Sequence, residues 1–142
     1  MLTGHLALTV AALFTGAAFY INFAEQPARL ALDDRALLTE WKPAYKRGFA
    51  MQASLAVLGF LLGLATWWTT GDWRWLAGGL VLLANWPYTL LGIMPTNNRL
   101  MGASAESAGP ETRALIERWG SLHAVRTALG ALGTLIFLWA LN

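Results

Sequence analysis

Four long apolar stretches alternate with polar connections along the chain, and this pattern predicts four transmembrane helices. A helix that crosses the hydrocarbon layer of a bilayer, roughly 30 Å thick, needs about 20 mostly apolar residues. The stretches that meet this length are residues 6–24, 49–68, 75–94 and 122–141. We therefore predict an all-α fold in which residues 1–142 form one four-span domain, an integral membrane four-helix bundle.

The first long connection carries a helical pattern of its own. Asp33 is a residue type that caps helix starts. The apolar residues that follow it at helical spacing are Leu37, Leu38, Trp41 and Tyr45. We expect a short helix lying in the plane of the membrane interface, with Pro43 as its end or its kink.

The second long connection is rich in turn-forming residues and reads "PTNNRLMGASAESAGPET". Pro110, near its end, suits the first position of a new helix. We expect that helix to run through Gly120 into the fourth span.

Composition supports the membrane interpretation and excludes several chemistries. The sequence is 56% hydrophobic and only 13% charged, with a mean hydropathy of +0.46. A secretory signal would carry a basic residue ahead of its apolar core, and no Lys or Arg precedes Arg29. We therefore expect the first span to be retained. The absence of cysteine removes disulfides, thiolate nucleophiles and cysteine-bound metals. A net charge of +2 gives no case for nucleic acid as a partner.

Basic residues predict the orientation of the chain. With four spans, both long connections lie on one side of the membrane. That side carries Arg29, Arg35, Lys42, Lys46, Arg47, Arg99, Arg113 and Arg118. The short turn on the other side carries Arg74 alone. The positive-inside rule then predicts that both long loops are cytoplasmic and both termini outside, in what we expect to be a bacterial inner membrane.

Aromatic and small residues indicate how the spans meet lipid and one another. Six of the tryptophans cluster at the two predicted membrane boundaries, as expected for an aromatic belt in contact with membrane lipids. Gly59 and Gly63 form a GxxxG pattern in the second span. They predict close helix packing within the chain, with a homo-oligomer through the same two glycines as the alternative.

Polar side chains in the spans are the candidate functional residues. An ionisable group inside a membrane costs about 2.5–3.5 kcal/mol on insertion scales, so each needs a partner or a route to water. The polar residues in or beside the spans are Asn22, Glu25, Gln52, Asn85, Asn97, Asn98, His123 and Arg126. All except Asn85 lie near the predicted cytoplasmic end. Because Trp119, His123 and Arg126 share one helix face, we expect a polar pocket at that end of the bundle.

Structural roles are the alternative for each of these residues. Arg126 can reach lipid phosphates at the interface, or it can pair with Glu25 to clasp two spans. His123 can serve as a hydrogen-bonded packing residue, and Asn97 and Asn98 can cap the third span. A pocket explains better why polar residues from several spans occur at one depth.

Four motifs resemble those of the anthrone oxygenase-like membrane family: "FAEQPARLAL", "WKPAYKRG", "MPTNNRL" and "WGSLHAVRTALG". The resemblance covers essentially the whole chain and implies a small four-helix membrane protein. It also implies oxidation of an anthrone to an anthraquinone by O2 without a bound organic cofactor. The positions that match the family motifs are Glu25, Pro27, Trp41, Tyr45, Pro95, Asn97, Asn98, Arg99, Trp119, His123 and Arg126. Gln26 departs from the pattern, since a histidine often stands there.

The resemblance and the residue chemistry together suggest roles. His123 is the candidate base, because an imidazole suits proton transfer near neutrality. Glu25 is expected to orient it, and Arg126 and Asn98 are expected to bind the oxygen on which negative charge develops. The remaining pocket residues, expected to contact substrate, are Trp119, Tyr45, Trp41, Asn97, Asn22 and Gln52.

Other functions remain open from the sequence. We predict no cofactor besides O2 as co-substrate. An iron or copper site would need Asn or Tyr to complete a ligand set of His123 and Glu25, and a haem would have His123 as its sole axial ligand. A non-catalytic protein that binds a lipid or quinone in the same pocket is the alternative from another class. A transporter is disfavoured, because Asn85 is the only polar residue at mid-membrane depth.

Overall fold

The structure, a computed structural model that describes residues 1–142, consists of four long helices and no strand. The helices are α1 (Leu2–Leu30), α2 (Asp34–Thr70), α3 (Trp73–Gly102) and α4 (Pro110–Ala140). A short 3-10 turn, Ala105–Ser107, lies between α3 and α4. All four helices are long and apolar enough to cross a membrane. The all-α prediction is confirmed.

The helices extend beyond the predicted spans. The α4 helix starts at Pro110 and runs through Gly120, as predicted. The start of α2 is also as predicted, since the side chain of Asp33 accepts a hydrogen bond from the backbone N–H of Ala36 at 2.9 Å.

The predicted interfacial helix is not a separate element. It forms the first part of α2, which continues through Pro43 without a break. A proline inside a helix removes one backbone hydrogen bond. Burial of Leu37, Leu38 and Trp41 next to it offsets that loss, because all three pack in one apolar cluster.

Each helix packs against two neighbours. The α1 and α3 helices both contact α2 and α4, which places the four helices around a square. Two apolar clusters fill the bundle. The outer cluster, near the termini, is built around Phe14, Trp75, Leu82 and Phe137. The inner cluster, near the long connections, is built around Leu38, Trp41, Ile116 and Trp119.

Glycines allow the helices to approach closely in the outer half. A Cβ atom at Gly59 would lie 2.3 Å from Leu82 Cδ2, and one at Gly63 would lie 2.8 Å from the backbone oxygen of Trp75. Both glycines therefore pack against other helices of the same chain. These contacts agree with the close packing within the chain that the GxxxG pattern predicts.

Two stretches of wider π-helix interrupt the inner half of the bundle. They are Ile21–Glu25 in α1 and Thr89–Ile93 in α3. Each is followed by a proline, Pro27 or Pro95, in the first turn of the next α-helical stretch. A π-helical turn changes which face of the helix later side chains occupy, and such turns are frequent at functional sites.

Cationic side chains fasten the long connections to the end of the bundle. Arg113 of α4 pairs with Asp34 and donates a hydrogen bond to the backbone oxygen of Leu30 at 2.9 Å. Lys42 of α2 donates to the backbone oxygen of Ala103. The loops thereby cover this end of the helices.

The short turn at the opposite end is also well defined. Gly71 has a φ of +72°, which favours glycine, and the Asp72 side chain accepts from the backbone N–H of Arg74 at 3.0 Å. A side-chain hydrogen bond from Arg74 holds the pKa of the Asp72 carboxyl below its usual value.

A glycine-to-alanine pair tests the close packing. Gly63→Ala would push a methyl group against the Trp75 carbonyl and the Phe137 ring, so we expect it to destabilise the bundle by about 1–3 kcal/mol. Gly16→Ala is the matched control, because nothing lies within 4 Å of its Cβ position. The measurement is the midpoint of SDS-induced unfolding in mixed micelles. Equal stability of the two variants would contradict the packing described here.

Candidate active site

A small cavity lies at the end of the bundle that carries the long connections. All four helices contribute to its walls. Its polar, charged and large aromatic lining residues are Glu25, Arg29, Tyr45, Phe49, Gln52, Asn97, Trp119, His123 and Arg126. The space open to the centre of a water molecule is about 20 Å³. One or two water molecules fill such a volume.

His123 is buried at the cavity wall, with 2% of its surface exposed. Its Nδ1 atom lies 2.8 Å from Oδ1 of Asn22. Asn22 uses its amide nitrogen to donate to the Gly120 carbonyl at 2.9 Å, and its Oδ1 also accepts from Thr127 at 2.8 Å. Because the Asn22 oxygen only accepts, this network assigns the proton of a neutral imidazole to Nδ1 and leaves Nε2 as the basic atom.

Gln52 lies on the other side of the imidazole. Its Oε1 is 3.4 Å from His123 Nε2, and its own amide nitrogen is buried without a partner. Rotating the amide by half a turn would let that nitrogen donate to a neutral Nε2. In the present orientation Oε1 can accept from Nε2–H of a protonated imidazole. Gln52 can therefore stabilise both the neutral and the protonated ring of His123.

Arg126 carries a buried cation with no anion to balance it. Only 6% of its surface is exposed, it forms no ion pair within the chain, and its Nε has no hydrogen-bond partner. Its guanidinium carbon lies 5.8 Å from the centre of the Phe14 ring. The side chain therefore lies inside the bundle, and the two structural alternatives, a lipid-facing arginine and a clasp with Glu25, do not describe it.

Aromatic rings form one side of the site. Trp41 and Tyr45 stack at 4.8 Å with planes 4° apart, and Trp119 meets Trp41 edge-on at 5.8 Å. Trp119 also lies 5.0 Å from the His123 ring. Trp41 is fully buried and does not line the cavity, so in this structure it supports the wall from behind Tyr45 and Trp119.

The predicted pairing of Glu25 with His123 is wrong. Glu25 lines the cavity but pairs with Arg29, one helical turn along α1. Nε of Arg29 also lies 3.1 Å from Glu40 of α2. Asn22 orients the imidazole instead, because the π-helical stretch of α1 places Asn22 and not Glu25 against α4.

Asn98 was also assigned wrongly. It is exposed and does not line the cavity, whereas the neighbouring Asn97 is 1% exposed and lines it. Neither polar atom of the Asn97 amide forms a well-aligned hydrogen bond within the chain, although the amide lies near the Tyr45 hydroxyl. Consecutive helical residues point about 100° apart, so only one of the two amides can face the bundle interior.

Sequence reasoning missed several contributors to the site. Helical spacing could have identified two of them. Arg29 lies four residues after Glu25, and Thr127 lies four residues after His123, so each shares a helix face with a predicted site residue. Gln26 ties α1 to α4 by donating to the Ile116 carbonyl at 2.8 Å. Gly120 makes that approach possible, since a Cβ there would lie 2.7 Å from the Gln26 amide.

The residues around His123 do not form a recognisable metal site. No group of three or more His, Cys, Asp or Glu side chains is arranged to hold an ion. The neighbours of the imidazole nitrogens are the side-chain amides of Asn22 and Gln52, which metals seldom choose as ligands.

The fold and the site define a small helical protein suited to membranes, with a buried imidazole and an unpaired guanidinium at one polar cavity. The anthrone oxygenase family model matches residues 41–136, and the chain belongs to this family.

Named relatives agree with this assignment. An anthrone oxygenase of Claviceps purpurea is 30% identical, covering 92% of this chain and 83% of the relative. Anthrone oxygenase tpcL of Aspergillus fumigatus is 32% identical over 70% of this chain and 67% of the relative. Both relatives are fungal, so they give no support to the expected bacterial membrane. No solved structure matches the chain.

The tautomer of His123 is open to direct measurement. With His5 removed by His5→Ala, the imidazole nitrogen NMR shifts should report a proton on Nδ1, because Asn22 offers only an acceptor there. Asn22→Leu should abolish the preference for a proton on Nδ1, because it removes the acceptor. Thr127→Val should preserve that preference, since Thr127 donates to Asn22 Oδ1 and does not contact the imidazole. A proton on Nε2 in the otherwise native protein would contradict the assignment.

Proposed function

We propose that this protein oxidises a hydrophobic aromatic substrate of the anthrone type with O2 at the cavity described above. The unpaired guanidinium of Arg126 carries the proposal. A buried cation without an anion is costly in a membrane, which points to a ligand that is or becomes negative. An anthrone becomes an anion when it loses a proton from its CH2 group.

The reaction balances without a bound cofactor. Removal of one proton from the CH2 group gives an anion with charge on the carbonyl oxygen. The anion passes one electron to O2, and the resulting carbon radical and superoxide combine to a hydroperoxide anion that takes up a proton. Loss of water from the hydroperoxide forms the second carbonyl group, so anthrone and O2 give anthraquinone and water.

His123 serves as the base in this proposal. Its Nε2 accepts the proton, and Asn22 holds the ring in the required tautomer. The protonated ring then supplies the proton that the hydroperoxide anion takes up. Gln52 is a positioning residue, since its amide has an orientation suited to each state of the imidazole.

Arg126 and Asn97 serve as the binding groups for the developing negative charge. Both line the cavity with buried polar atoms that lack partners. Donors already in place in a water-poor site stabilise an anion more than water does, because they need no reorganisation during the reaction.

The cavity must open to admit such a substrate. Binding sites for drug-sized molecules typically measure about 300–1,000 Å³, whereas this cavity has room for only one or two water molecules. Tyr45 and Phe49 of α2 are half-buried residues in the cavity wall. We propose that the described structure is the closed form and that substrate displaces these rings together with the water.

We also propose that both long loops face the cytoplasm, because basic residues concentrate there. The chain has no cysteine, which permits labelling at single introduced thiols. In intact cells or sealed spheroplasts, an impermeant maleimide should label Thr69→Cys at the short turn and should not label Ser107→Cys in the second loop until the cells are opened. Both side chains lie on the surface of the protein. The reverse labelling pattern would contradict this orientation.

The proposed chemistry predicts a loss of oxygen uptake on changing His123. In lipid nanodiscs with an anthrone, His123→Gln should lower kcat by about 10²–10⁴-fold, because the base is removed. Arg126→Gln should lower it by about 10²–10³-fold in the same assay, because the anion loses a charged donor.

The matched control is His5→Gln, which changes the only other histidine, at the opposite end of α1. It should leave oxygen uptake unchanged. Elemental analysis of the same sample tests whether iron or copper accompanies activity. Undiminished turnover by His123→Gln would remove His123 as the base and with it the mechanism proposed here.

A further inference from the structure

A second small chamber lies directly beside the first, closer to the middle of the bundle. Its walls include Phe49, Asn85, Trp86, Thr89 and Arg126. Phe49 and Arg126 line both cavities and form the partition between them. The space open to the centre of a water molecule is about 10 Å³, enough for one water or one hydroxyl-sized group.

Three residues of this chamber carry polar atoms that nothing in the chain satisfies. Asn85 is 2% exposed and donates its amide nitrogen to the Leu82 carbonyl at 2.9 Å, but its Oδ1 has no partner. Oγ1 of Thr89, 4% exposed, and Nε of Arg126 are likewise unpartnered. Leaving such a group buried and unpaired is unfavourable, because it has lost the hydrogen bonds that water would provide.

Thr89 departs from the behaviour of other threonines in this bundle. Thr15 and Thr66 donate their hydroxyls to the carbonyl four residues earlier, which is the usual way to satisfy a threonine in an apolar helix. The backbone N–H of Thr89 bonds to the Asn85 carbonyl four residues earlier, but the Thr89 hydroxyl has no hydrogen-bond partner within the chain. Its hydroxyl therefore remains available to a ligand.

The chamber faces the lipid side of the bundle. Trp86 and Leu90 are half exposed on its outer surface, and the Trp86 indole donates to the Ala53 carbonyl at 3.2 Å across the gap between α2 and α3. Trp86 and Leu90 therefore form the wall between the chamber and the outer surface of the bundle.

We infer that this chamber is a subsite for a hydroxyl group on the aromatic ligand. The unpartnered atoms are one acceptor, Asn85 Oδ1, one charged donor, Arg126 Nε, and the hydroxyl of Thr89, which can do either. A hydroxyl group is the complementary partner, since it donates to Asn85 while accepting from Arg126 or Thr89. The inference rests on the proposed function only in taking the ligand to be a flat aromatic ring system that spans both cavities.

Equilibrium binding tests the subsite without any turnover. The probes are 2-hydroxyanthraquinone and 2-methylanthraquinone, which have nearly the same shape and differ in hydrogen bonding. Binding is followed by quenching of tryptophan fluorescence in lipid nanodiscs, with ligand partition into empty nanodiscs subtracted. The native protein should bind the hydroxyl compound about 10-fold more tightly, because only it satisfies the buried polar groups.

Two variants locate the effect. Thr89→Val and Asn85→Leu should each remove most of the preference for the hydroxyl compound while leaving affinity for the methyl compound unchanged. Thr66→Val is the control, because Thr66 is equally buried but lies outside both cavities and bonds only to the Leu62 carbonyl. Thr89→Val preserves the shape of the side chain and so keeps the test valid if Asn85→Leu fails to fold.

Each other outcome overturns the subsite. Equal affinities for the two probes in the native protein would mean that the chamber holds water only. Equal losses for both probes in Thr89→Val would mean that Thr89 acts through packing. The binding test and the oxygen-uptake test can fail independently. If oxygen uptake requires His123 but the protein shows no preference for the hydroxyl probe, the subsite alone is rejected. If the protein prefers the hydroxyl probe but consumes no oxygen, the proposed oxidation alone is rejected.

Discussion

The absence of water in a bilayer interior is the constraint on which the rest of this structure depends. A polar side chain on a membrane-spanning helix must find its partners within the protein. Asn22 illustrates the result, because its one amide group binds the Gly120 carbonyl, the Thr127 hydroxyl and the His123 ring. These bonds hold α1 against α4 and fix the imidazole at the same time, so packing and site geometry have a common origin.

The two halves of the bundle solve the packing problem differently. In the outer half, glycines bring the helices so close that side chains such as Leu82 and Phe137 fill the remaining space. In the inner half, π-helical turns and prolines interrupt α1 and α3, and the polar cavities lie next to these interruptions. Irregular backbone in a membrane is tolerated where it is buried in protein or lines a cavity. The site therefore occupies the part of the bundle where regular close packing ends.

The sequence was sufficient to predict the four helices, the Asp33 cap, the start of α4 at Pro110 and the convergence of His123, Arg126 and Trp119 on one cavity. These depend on apolar length and on spacing along a regular helix. It was not sufficient to choose Asn22 over Glu25 as the partner of His123, because a π-helical turn changes the facing of residues that a regular spacing places together. It also failed to separate Asn97 from Asn98, since the π-helical stretch before Pro95 changes which of the two side chains faces the bundle interior.

In the proposed reaction, the charge arrangement would let a buried arginine favour the chemical step over substrate binding alone. Glu25 and Glu40 both pair with Arg29, and neither forms an ion pair with Arg126. A neutral substrate offers the guanidinium little compensation, whereas the anion formed by proton removal offers a full opposite charge. An interaction that strengthens only as charge develops lowers the barrier and does not merely tighten binding. An internal ion pair at Arg126 would stabilise the resting protein and remove that difference, which gives a physical reason for leaving this cation unpaired.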